Sequence, residues 1–143
     1  MTIKPRVVRA LKDARTRLRD VAAAAHSTTA AARDRCAQDL ADEHASLETA
    51  LDVAAGTLAA ARSVHELDRV AESTGVYRLA IVDATQRHVD AVAATETTAN
   101  RLRERTRQLR TAERLVELVD DHRAKREADA EQRGADDLAS RRR

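Results

Sequence analysis

The chain has 143 residues with 26 basic and 24 acidic side chains, one aromatic (Tyr77), one proline (Pro5), three glycines and one cysteine (Cys36). So few large apolar groups cannot fill a thick core, and no alternating β-branched run signals a strand, which leaves long helices packed along a thin seam. The net charge of +2 argues against binding driven mainly by phosphate neutralisation, the lone cysteine against a disulfide framework, and the want of an apolar window of about 18 residues against a membrane span.

Pro5 suits the first turn of a helix, with Thr2 as its cap. Val7, Leu11, Ala14, Leu18, Val21 and Ala25 then recur at spacings of four and three, the pattern of a coiled-coil seam. The spacing slips from His26 to Ala32, a stutter, and resumes at Leu40, His44, Leu47, Leu51, Ala54, Leu58 and Ala61. Glu72-Ser73-Thr74-Gly75 is the one cluster of turn chemistry. Past it, Leu79, Val82, Gln86, Val89 and Ala93 form a stripe. A polar patch follows from Thr95 to Asn100, then Leu102, Leu109, Ala112, Val116 and Val119. The last residues are charged and end in Arg141-Arg142-Arg143.

The expected fold is therefore all-α, a long antiparallel two-helix coiled-coil hairpin over residues 1–143, with helix one at about 5–72, the turn at about 73–76 and helix two at about 77–138. Reversal there sets opposite residues whose numbers sum to about 148. Residues 101–114, six arginines against Glu104 and Glu113, then face the acidic segment 34–47, and the acidic segment 127–137 faces the basic segment 11–21. Blocks of opposite sign would select this register. A four-helix bundle, with breaks near Ser27-Thr28-Thr29 and Glu96-Thr97-Thr98, is the competing architecture.

Catalytic chemistry is not expected. The five histidines fall in no metal-binding spacing, and no cysteine pair is available for zinc. Glycine is too scarce for a phosphate-cradling loop, and no nucleophile–base arrangement exceeds chance. Cys36 reads as a small buried apolar residue. Tyr77 is the exception: with Ile81, Ala84 and His88 it forms a stripe at spacings of four, three and four. That stripe either widens the core face or, exposed at the tip of the hairpin, anchors a partner.

These features together resemble the FliJ/YscO-type stalk proteins of flagellar and type III secretion export machines. The length and the charged C-terminal segment from Arg123 to Arg141 resemble theirs, and Tyr77, Ile81, Ala84 and His88 match the partner-binding pattern that the flagellar branch carries near the tip of its second helix. The aromatics such proteins often carry on the first helix are missing. The resemblance implies a non-enzymatic central stalk without cofactors, cytoplasmic and peripheral to the inner-membrane export machinery. The paired termini, with Arg6, Arg9, Arg123 and Arg126, would engage a hexameric export ATPase. The tip stripe would meet the cytoplasmic domain of the export gate, and secretion chaperones would be further partners. Nucleic acid and direct membrane insertion are not expected. A generic coiled-coil scaffold or adaptor is the alternative, and a basic-stripe nucleic-acid binder a third.

Overall fold

The computed structural model describes residues 4–60 and 63–140, the side chains of Leu138 and Ala139 excepted. Thr2, Ala61 and the terminal arginines 141–143, singled out above, lie outside the described residues. Two helices account for the fold: α1, Pro5–Ala60, of 56 residues, and α2, Val64–Ser140, of 77. They pack against each other antiparallel, an all-α helical hairpin, and no strand occurs among the described residues.

The chain reverses between Ala60, where α1 ends, and Val64, where α2 begins, which corrects the expected turn at 73–76 and the expected helix limits at 72 and 77. Ser63 sets the start of α2. Its hydroxyl accepts the Glu66 N–H at 3.3 Å, and Ser63-Val64-His65-Glu66 is the sequence signature of a capping box. Glu72-Ser73-Thr74-Gly75 is helical throughout, and no described glycine has positive φ. The Ser73 and Thr74 hydroxyls bond back to carbonyls at Val70 and Ala71, so these side chains sit within the helix instead of capping a new one. Glycine in a helix interior costs only about 1 kcal/mol against alanine. Val70, Thr74, Tyr77 and Ile81 are all partly covered, so packing on both sides of Gly75 outweighs that cost.

Seven-residue repeats run through both helices. On α1 the covered positions are Val8, Lys12, Arg15, Arg19, Ala22, His26, Thr29, Arg33, Cys36, Leu40, Glu43, Leu47, Ala50 and Ala54. On α2 they are Val70, Thr74, Tyr77, Ile81, Ala84, His88, Ala91, Thr95, Thr98, Leu102, Arg105, Leu109, Ala112, Val116 and Val119. The expected seam of early α1 is thus off by one position: Val7 and Val21 are 61% and 68% exposed. The expected stripe of early α2 faces outward as well, with Leu79 72% exposed. No stutter interrupts the repeat at His26 to Ala32.

The chain divides into two compact units. The first comprises residues 1–23 and 101–143, with Val8, Ala22, Leu109 and Ala112 as its buried apolar centre. Across its seam Arg9 pairs with Asp120 at 3.0 Å, and Arg15 donates to the Gln108 side-chain carbonyl. The basic block 101–114 therefore lies beside the basic start of α1 and not beside 34–47, which corrects the charge-block register. Gln108 separates the cations: its carbonyl also accepts from Arg105 at 2.9 Å, and its amide donates to Glu104 at 2.9 Å. Exposed pairs contribute at most about 1 kcal/mol each, too little to dictate register.

The second unit, residues 24–100, has Ala54 and Ala84 buried and a polar centre. The Thr95 hydroxyl, 7% exposed as a residue, lies 2.8 Å from the Ala91 carbonyl and 3.1 Å from the Thr29 carbonyl of α1. The Thr29 and Thr98 hydroxyls are 2.7 Å apart, and His26 Nδ1 is 3.3 Å from Thr98 Oγ1. The two polar patches read as possible breaks therefore face each other within continuous helices, and the four-helix bundle is not formed by this chain. Pairing hydroxyls with one another satisfies groups that would be costly against an apolar stripe. That constraint turns the polar positions of α1 inward. Thr95→Val is expected to lower stability by about 1 kcal/mol in chemical denaturation.

Candidate partner-binding surfaces

The end of the first unit brings two of the four expected terminal arginines, Arg123 and Arg126, to one groove. Pro5 and residues Val119, His122, Arg123, Arg126 and Glu127 line this groove of about 400 Å³. Arg9 and Arg123 both hold acidic neighbours: Arg9 bridges to Asp120, and Arg123 Nε donates to Glu127 at 2.6 Å. The hydrogen bond it donates to Glu127, then that carboxylate's charge, raises the Arg123 pKa above the usual guanidinium value, so the group stays cationic at any ordinary pH. Arg6 is exposed and does not line this groove. From Asp121 to Asp137 every residue is exposed, a stretch of single helix with charge on all sides and no apolar stripe.

Tyr77, Ile81, Ala84 and His88 occupy four successive seam positions of the second unit. Ala84 is 1% exposed, the most covered of the buried apolar residues. The stripe widens the core face; an exposed cluster at the tip is corrected, because the chain reverses between Ala60 and Val64 and not beside Tyr77. His88 Nδ1 is buried without a hydrogen-bond partner. Tyr77 keeps one open edge. It lines a groove of about 640 Å³ with Ala50, Val53, Ala54, Thr57 and Val70, flanked by Glu66 and Arg69. The groove's floor comes from both helices near the turn, and its apolar walls with charged rims suit a helical or extended peptide.

Sequence reading missed the Ser63 cap, which the Ser-x-x-Glu spacing carries, and the outward position of the Leu79 stripe, which no local signal carries. Among the described residues no three His, Cys, Asp or Glu side chains gather as a metal site. No helix of the described residues is long and apolar enough to cross a membrane. Cys36 is a half-buried free thiol in the seam. The class that fold and surfaces define is an all-α helical hairpin. No family model, curated protein or solved structure matches the chain.

Proposed function

We propose that the chain is a non-enzymatic stalk component of a type III protein-export ATPase complex. Its terminal unit engages the ATPase hexamer, and the groove beside Tyr77 engages the cytoplasmic domain of the export gate or a secretion chaperone, on the cytoplasmic side of the inner membrane. The observation that carries this reading is the first unit: the start of α1 lies along α2, and α2 continues as an exposed, highly charged helix suited to a polar channel. The resemblance in length and C-terminal composition supports it. The decisive assay is turnover of the cognate export ATPase with purified protein added. Stimulation that is lost on replacing Arg123 and Arg126 with alanine is the expected result; no effect at saturating protein contradicts the reading.

The second reading is a coiled-coil scaffold or adaptor. The seam position of Tyr77, Ile81, Ala84 and His88 favours it, since these residues then serve the hairpin itself. Tyr77→Ala separates the two. Weakened capture of the gate domain with unchanged helicity supports the stalk, and equal loss of helicity supports the scaffold.

A further inference from the structure

The 640 Å³ groove marks one flank of the second unit, the side carrying Ser46, Val53, Arg69 and Ser73. The opposite flank follows from the seven-residue repeat. It carries Ala37, Ala41, His44, Glu48, Leu51, Ala55 and Leu58 from α1, and Arg78, Leu79, Val82, Thr85, Gln86, Val89 and Ala93 from α2. Every one of these side chains is exposed. Leu51, Leu58, Leu79, Val82 and Val89 are 43%, 47%, 72%, 66% and 54% exposed, and nothing in the chain covers them. Between Ala37 and Leu58 on one helix and between Arg78 and Ala93 on the other, the charged groups on this flank besides the histidine are Glu48 and Arg78.

The pattern has a handedness of size. With Thr29 against Thr95 fixing register, the stretch Ala37 to His44 on α1 lies alongside Val82 to Val89 on α2. A ridge of large side chains thus runs beside a trough of alanines. A two-fold axis parallel to the helices would place each copy's ridge in the other's trough, which is the self-complementarity a two-fold interface requires.

The exposed area also fits. The chain exposes 11292 Å², whereas a folded monomer of its mass exposes about 7300 Å². A stable dimer needs to bury roughly 800 Å² per partner, well within that excess.

We infer that a second copy of this chain covers this flank, forming a four-helix layer in which α2 of each copy packs on α1 of the other through Leu79, Val82 and Val89 against Ala37 and Ala41. The inference stands apart from the stalk reading and holds for a scaffold equally.

The test is the solution mass of the full chain by light scattering at about 50 μM, above the micromolar dissociation constants of weak standard-size interfaces. The expected mass is twice that of the 15.7 kDa chain. Val82→Glu should weaken dimerisation by about a hundredfold or more with helicity retained, and Val53→Glu on the other flank should leave it unchanged. In a Cys36→Ala background, mixed Ala41→Cys and Val82→Cys chains should form disulfide-linked dimers faster than either alone. A monomer at this concentration, a dimer broken by Val53→Glu but not by Val82→Glu, or faster self-linking of Val82→Cys alone overturns the inference.

Discussion

Ala84→Glu should cost about 3 kcal/mol or more in urea denaturation, because it forces a carboxylate into a helix–helix contact that has no room and no partner. Ala84 is 1% exposed, and its seam neighbours on α2 are Tyr77, Ile81 and His88. A side chain of that size also overpacks the contact, a further cost of about 1–3 kcal/mol. Val76→Glu, the same new side chain at a position 66% exposed, should change stability by about 0.5 kcal/mol or less. If Leu79 and Val82 formed the seam instead, Ala84 would point aside and its replacement would be as mild as that of Val76. The contrast between positions 84 and 76 therefore reads the rotation of α2 directly.

The second large effect lies at Gly75. Gly75→Pro should cost about 3 kcal/mol, since proline removes a helical hydrogen bond and clashes with the preceding turn. Gly75→Ala should raise stability by about 1 kcal/mol: a Cβ there meets nothing within 4 Å, and the backbone has no positive φ to penalise it. At a left-handed helix cap the alanine variant would be destabilising. Thermal and urea unfolding of both variants give the sign, and the sign locates the turn.

Much of this fold was legible. Scarcity of aromatic, proline and glycine residues left only long helices, and heptad spacing supplied the hairpin. The position of reversal was misread because Gly75 carries the chemistry of a helix end and sits at the middle of the sequence, whereas the true start of α2 rests on one serine hydroxyl. The charge blocks then matched the wrong register, since weak screened pairs can be satisfied locally; Gln108 between Arg15 and Arg105 shows how. The better guide was the pair of polar patches. Thr29 and Thr95 must meet something polar once covered, and only the register with reversal near residue 62 lets them meet each other. For the candidate sites, a seven-residue repeat tells which residues share a stripe but not which of two adjacent stripes turns inward. That choice depends on the hydroxyl network, so the sequence groups Tyr77, Ile81, Ala84 and His88 correctly and leaves open whether the stripe is covered or exposed.

The most direct test of the reversal between Ala60 and Val64 is the distance between spin labels at Asp39→Cys and Arg87→Cys in the Cys36→Ala background, diluted with unlabelled chain. Both positions are exposed, on the same flank of the second unit. Helices packed in this register stand about 10 Å apart, so the labels should report roughly 10–20 Å once their tethers are included. A turn near Thr74 would place residue 39 opposite residue 109 and separate the labels by about 33 Å along the helix; a distance in that range would contradict the fold described here.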